Sequence, residues 1–257
     1  LWYTEELMAH GYLPQYATLA RFFRANGLDR RTDLAGFSAV VESTEQIPLV
    51  IHPALNWHRC PAATITVPLD GREPSTLALV PRHFVNADPA AGQRFPGRLT
   101  LQLDYPRAAE AKLRIASTGA AGASLRLLLD GATLTERSWP ATTDGKPLVK
   151  PVAFTLPVAA GPHTLVIENP RGEDWFEFAG LDTGLTVSPL AAVGRRAPDH
   201  VCLWLWHRDG IYAKAGAAPV SGTLVLADLP AGKWRLVWWD LAKGEPAPAG
   251  EIAHTGG

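Results

Sequence analysis

The sequence predicts a mainly β protein of the sandwich type, with one α-helix ahead of the strands. Three observations carry this. From Asp33 onward, short runs of alternating apolar and polar residues recur between turn residues, at the spacing of sandwich strands. Gly and Pro are plentiful, at 23 and 22 of 257 residues, which suits many strands joined by tight turns. Only the segment 1–31 repeats its apolar residues with a helical period.

In that segment Tyr16, Leu19, Ala20 and Phe23 fall at i, i+3, i+4 and i+7. Pro14 is placed to start the helix, and Gly27, flanked by Asn26 and Asp29, to stop it. Nothing else in the chain reads as helical, so the stripe has no helical partner to pack against. Strands are expected at 37–41, 48–51, 64–67, 76–80, 99–105, 111–117, 124–130, 133–138, 152–156, 163–168, 175–178, 185–187, 201–206, 223–226 and 234–239. Asp130-Gly131 between two such runs is a hairpin signal. Gly119–Gly122 lacks the Lys, Ser/Thr and following helix of a phosphate loop and reads as a hairpin connection.

Composition narrows the function. Basic and acidic residues number 24 and 25, a net charge of -1, which provides no field to hold a nucleic-acid backbone. No apolar run reaches the roughly 18–20 residues of a membrane span. Neither partner class is expected. Cys60 and Cys202 lie in no metal or redox spacing, and a disulfide between them stays open. The eight histidines form no zinc-type pair, and no nucleophile elbow is present.

Near the end, Leu229–Gly232 makes a Pro/Gly turn. Lys233–Trp239 then alternates as a strand and reaches a second turn bracketed by Asp240 and Gly244, with aromatics on both faces. This Trp-Trp-Asp hairpin resembles the terminal β-sandwich that follows the catalytic barrel in glycoside hydrolases of the cellulase-like superfamily. Segment 1–31 resembles the end of such a barrel. Leu1, Trp2 and Tyr3 stand as its last strand, Glu5 and Glu6 as an acidic loop, and Tyr16, Leu19, Ala20, Arg21 and Phe22 as its last helix. From about 60 to 183, the series LRLLLDGATL, VAFTLPVAAGPHTLVIEN and DWFEF resembles the jelly-roll of malectin-like and related sugar-binding modules.

The resemblance implies three parts: the barrel tail at 1–31, a small terminal sandwich from 32–59 and 184–257, and a jelly-roll (or Ig-like) sandwich at 60–183 inserted into it. It implies a non-catalytic accessory region of a secreted or periplasmic polysaccharide-degrading enzyme, partnered by a polysaccharide or oligosaccharide and by the parent barrel. This chain alone is expected to have no glycosidase activity. Two alternatives stand beside this: a purely structural sandwich, and part of an active hydrolase whose barrel is missing from the chain.

Indole rings stack on the C–H faces of sugars, and fixed polar groups meet the hydroxyls. Trp139, followed by Pro140 and a polar loop, is expected to be exposed. Trp175 follows a charged turn with Asn169, Glu173 and Asp174 close in sequence. These residues are the candidate sugar site, and the resemblance adds Trp2 as a former subsite position. Packing inside the fold is the plain alternative for each Trp. No cofactor is called for, although related modules hold a structural calcium. Asp182, or Asp70 or Asp130, is the carboxylate available for one, without any calcium-loop spacing.

Overall fold

The computed structural model describes residues 13–53, 64–85, 97–170, 174–208, 218–240 and 243–255. Trp2, Glu5, Glu6, Cys60 and Glu173 lie outside the described residues. The chain divides into two compact units, Leu1–Phe37 with Gly194–Cys202 and Leu226–Gly257, and Ser38–Val193 with Leu203–Val225.

In chain order the elements are α1 (Leu13–Ala25), β1 (Ala35–Glu42), β2 (Ile47–Ile51), β3 (Thr64–Val67), a 3-10 helix (Ser75–Leu79) and β4 (His83–Phe84). They continue with β5 (Arg98–Tyr105), β6 (Ala109–Thr118), β7 (Ala123–Leu129), β8 (Ala132–Trp139), β9 (Val152–Val158) and β10 (Gly161–Glu168). The last six are β11 (Phe176–Val187), β12 (Leu190–Ala197), β13 (His200–His207), β14 (Thr223–Val225), β15 (Gly232–Asp240) and β16 (Glu245–His254). The protein is mainly β, with one α-helix among the described residues.

The larger unit is a β-sandwich of jelly-roll type. One sheet runs β3-β5-β10-β7-β8, and the other runs β2-β11-β6-β9 with β4 also paired to β11. Strict alternation on β5 turns Leu99, Leu101, Leu103 and Tyr105 inward and Arg98, Thr100, Gln102 and Asp104 outward. Those inward residues join Leu113, Ile115, Leu125, Leu127, Leu165, Ile167, Phe176 and Phe178 in one buried cluster drawn from both sheets. Phe84 stacks on Phe176 at 4.8 Å inside it. A further sheet has the order β13-β12-β1-β14, with Val40 opposite Val225.

The expected module boundaries at 59/60 and 183/184 fall within this core rather than at its edges. Leu49 and Ile51 precede the first boundary, and Leu185 and Val187 follow the second, yet all four are in the sandwich cluster. The cause is β2, which adds to the sheet by pairing with β11, Ile51 opposite Leu181 and Ile47 opposite Val187. The two strands expected at 175–178 and 185–187 are likewise one strand. Asp182-Thr183-Gly184, between the two expected strands, forms an irregularity inside β11. Gly184 has φ +73, and a Cβ there would lie 2.4 Å from the Glu110 carbonyl oxygen.

Other local differences have similar causes. The expected strand at 76–80 is the 3-10 helix, because a short apolar run fits either conformation. Gly119–Gly122 leads from β6 in one sheet to β7 in the other, so it is a crossover and not a hairpin. Asp130-Gly131 does close the β7–β8 hairpin, with φ of 51 and 81 at its two turn residues. β16 is unexpected because Pro246 and Pro248 argue against a strand; it survives as half of a two-stranded ribbon with β15.

In the smaller unit α1 ends where expected: Gly27 has φ +64, and the Leu28 N–H reaches the Phe23 carbonyl at 2.9 Å. Phe22 packs edge-on against Trp239 of β15, with ring centroids 5.4 Å apart. Gly244 sits against Thr18 and Arg21. The predicted apolar stripe lies elsewhere on the helix and remains in water: Tyr16 is 56% exposed, Leu19 36% and Phe23 42%.

Candidate functional site

The residues singled out by sequence do not converge on one open sugar site. Trp139, expected at the surface, is 7% exposed and belongs to the sandwich core. It closes β8, and the Arg137 guanidinium lies 5.5 Å from its ring centre. The strand carries its side chain inward before the polar loop begins, so the following Pro140 gave a misleading surface signal.

Asn169 is completely buried, and its amide is engaged with the protein. Its Oδ1 accepts from the Ser124 N–H at 3.1 Å, and its Nδ2 donates to the carbonyls of Phe84 at 3.0 Å and Asp174 at 2.8 Å. Asp174 also serves the backbone. One carboxylate oxygen accepts from the Ala121 N–H at 3.1 Å, and the other from its neighbour Trp175 at 3.0 Å. These two residues tie β10, the 119–122 crossover and the start of β11 together. Trp175 is half-buried, its ring edge-on to His83 with centroids 4.9 Å apart. Alongside, Glu177 lies between His83 and Ser117 in register and accepts the Ser117 hydroxyl at 2.7 Å. Burial lowers the His83 pKa below its ordinary value, and the Glu177 charge opposes that.

Asp182 does not fit a calcium site. One of its oxygens accepts from the Gly184 N–H at 3.0 Å, and the other is 3.8 Å from Arg114. Asp70 is paired with Arg72 at 2.8 Å, and Asp130 with His163 at 2.7 Å. Calcium takes about 6–8 oxygens. Among the described residues no three His, Cys, Asp or Glu gather to hold a metal. Cys202 is half-buried and is a free thiol, and burial pushes its pKa up.

Sequence reading missed the groove on the outer face of the β3-β5-β10 sheet. It encloses about 1070 Å³ and lies wholly within the larger unit. Period-two alternation builds its floor. Thr64 and Thr66 of β3 stand opposite Thr100 and Gln102 of β5. Gln102 and Asp104 in turn stand opposite Thr164 and Pro162 of β10. The Thr66 hydroxyl donates to Gln102 Oε1 at 2.8 Å, which orients the Gln102 amide. Pro68, Pro74 and Pro106 stiffen the rim.

Charge in the groove is sparse. The Asp70 carboxyl is pushed up by burial, but hydrogen bonds from the Arg72 side chain and backbone outweigh this and its pKa falls below the ordinary value. Asp130 stands behind the groove wall. Its carboxyl is held low by the Thr164 N–H at 2.8 Å and then by His163, whose other ring nitrogen faces the Ala159 carbonyl at 3.1 Å. Asp104 is exposed, with no hydrogen-bond or ion-pair partner among the described residues. Beneath the floor, Tyr105 is 2% exposed, and its pKa is pushed up to about 12, first by burial and then by the Asp182 charge. The signal for this groove was in the sequence, as the outward set Thr-x-Thr, Gln-x-Asp and Pro-x-Thr. Only strand order reveals that the three sets are neighbours.

No protein-family model matches the chain, and no curated protein matches it. Solved structures do. A cycloisomaltooligosaccharide glucanotransferase from Paenibacillus sp., complexed with cycloisomaltoheptaose, is 16% identical over 36% of this chain and 13% of its own, with a TM-score of 0.26. A family 35 carbohydrate binding module from Clostridium thermocellum is 10% identical over 34% of this chain and 69% of its own, with a TM-score of 0.26. The CBM36-1 domain of a multidomain xylanase from the hindgut metagenome of Trinervitermes trinervoides is 10% identical over 58% of this chain and 94% of its own, with a TM-score of 0.27. The chain thus spans 13% of the length of the glucanotransferase. These are distant likenesses to carbohydrate-binding modules and carbohydrate-active enzymes, and each named ligand belongs to the protein named.

Proposed function

We propose that this chain is a carbohydrate-binding accessory region, and that a stretch of polysaccharide lies in the β3-β5-β10 groove. The observation that carries this is the polar floor: Thr64, Thr66, Gln102, Asp104 and Thr164 all face one open trough. Hydroxyls both donate and accept, the Gln amide nitrogen donates and the carboxylate accepts. That mixture matches the alternating donors and acceptors of a sugar chain. The volume, about 1070 Å³, is at the upper end for ligand pockets and suits several sugar rings better than one. Among the described residues no Trp, Tyr or Phe lines the groove, so binding in this reading rests on hydrogen bonds rather than on ring stacking.

The accessory role follows the same reading. The parent is a polysaccharide-degrading hydrolase outside the cell, and its catalytic barrel covers the bare Tyr16, Leu19 and Phe23 stripe of α1. Catalysis is not assigned to any residue of this chain. Turnover of an oligosaccharide by the purified chain would overturn the non-catalytic reading.

Affinity electrophoresis through xylan, glucan, mannan and galactan tests the binding. At least one polymer is expected to retard the chain, and Gln102→Ala to restore its mobility. Unchanged migration in all four would leave the second reading, a purely structural sandwich. The packing of Trp139 and the backbone ties of Asn169 favour that reading for those two residues.

A further inference from the structure

The ionisable residues lining the groove are few, and their pairing is uneven. Arg72 is the one Arg or Lys among the described lining residues, and Asp70 holds it at 2.8 Å. His163 is tied to Asp130 and to the Ala159 carbonyl. Asp104 has no partner among the described residues and stands on β5, the middle of the three floor strands. Among the described lining residues Asp70 and Arg72 therefore offset each other, which leaves the Asp104 carboxylate as the unpaired negative charge on the middle floor strand. A neutral sugar chain can donate hydroxyl hydrogen bonds to that carboxylate. A chain carrying carboxylates or sulfates brings like charge against it, and an amine-bearing chain brings opposite charge.

We propose that Asp104 sets the selectivity of the groove by charge: it admits neutral and amine-bearing glycans and disfavours uronate- or sulfate-bearing ones. The proposal rests on the carbohydrate-binding reading above. The groove is open to water, so the effect is moderate. A like-charge contact near 4 Å in water corresponds to about fivefold in affinity, and opposite charge to a similar gain. Because the Debye length shrinks from about 10 Å at 0.1 M salt to about 3 Å at 1 M, this discrimination should fade at high salt.

The test is calorimetric titration of the full chain with three oligosaccharides on one backbone. These are the neutral form of whichever polymer retards the chain in the gel, a carboxylate-bearing form and an amine-bearing form. Wild type is expected to bind them in the order amine, neutral, carboxylate, with about fivefold between neighbours at 0.1 M salt. Asp104→Asn keeps the size and one acceptor, and should bring the three affinities within about twofold. Glu45→Gln removes an exposed carboxylate outside the groove and should leave the order intact.

Equal wild-type affinities, preference for the carboxylate form, or an unchanged order in Asp104→Asn would each overturn the charge filter while leaving carbohydrate binding in place. A Glu45→Gln effect as large as that of Asp104→Asn would assign the discrimination to net charge and also overturn it. If no neutral polymer binds at all, the carbohydrate reading itself fails, and the filter falls with it.

Discussion

The Asp174 carboxylate fills the space that a side chain on Gly119 would need. A Cβ at Gly119 would lie 2.0 Å from the carboxyl carbon and 2.1 Å from its Oδ2. The same carboxylate accepts the Ala121 N–H, and the Gly119 N–H reaches the Trp175 carbonyl at 2.7 Å. Absence of a side chain at one residue thus lets another pin the crossover between the two sheets.

Gly119→Ala is therefore expected to evict the Asp174 carboxylate from the Ala121 and Trp175 N–H groups it accepts from, costing about 2 kcal/mol. Urea unfolding checks this. Asp174→Ala should cost about 1 kcal/mol alone. The double variant should be less destabilised than the sum, because both act on one contact. Additive effects would show that Asp174 does not occupy that space in solution.

Asn169→Ala removes an amide that satisfies groups from three chain segments in a fully buried place. About 3 kcal/mol of stability should be lost, since the hydrogen bonds from the Ser124 N–H and to the Phe84 and Asp174 carbonyls disappear with the amide. A change under about 0.5 kcal/mol, the size of an ordinary surface substitution, would contradict the buried network.

Trp139→Ala should cost about 3–5 kcal/mol by opening a cavity between the sheets. Trp139→Phe should cost less, and glycan retardation by the Phe variant should match wild type, because Trp139 does not line the groove. Loss of glycan binding with stability intact would return Trp139 to the ligand site.

The Asp130 carboxyl ionises below its ordinary value of 3.8, held by the Thr164 N–H first and His163 second. A depressed folded-state pKa means the charged form favours folding. That contribution is present above the unfolded value and is lost as pH falls through the folded one. Melting temperature should therefore drop as pH falls below about 4, and the drop should be shallower in Asp130→Asn. Parallel profiles for the two proteins would show that the carboxylate contributes nothing there.

Much of the fold was legible locally. Alternation along Leu99–Tyr105 placed β5 and its inner face, and Asp130-Gly131 marked the hairpin, because each signal is set by neighbours in sequence. Gly27 marked the end of α1 for the same reason. The candidate site was less legible. Trp139 and Asn169 have the composition of a sugar site, but composition does not say which face of a sheet a side chain takes. Asp182-Thr183-Gly184 has turn chemistry, yet pairing with β2 on one side and β6 on the other keeps it within β11.

The sequence by itself determined that this is a mainly β sandwich protein with α1 ahead of the strands, since hydrophobic period and turn residues act over a few positions. Tertiary structure alone decided that residues 64–66, 102–104 and 162–164 share one polar floor, and that β2 belongs to the same core as β11. The physical reason is that strand order depends on pairings across long stretches of chain. Such pairings are stabilised by the burial of the whole core, and no short stretch of sequence encodes them.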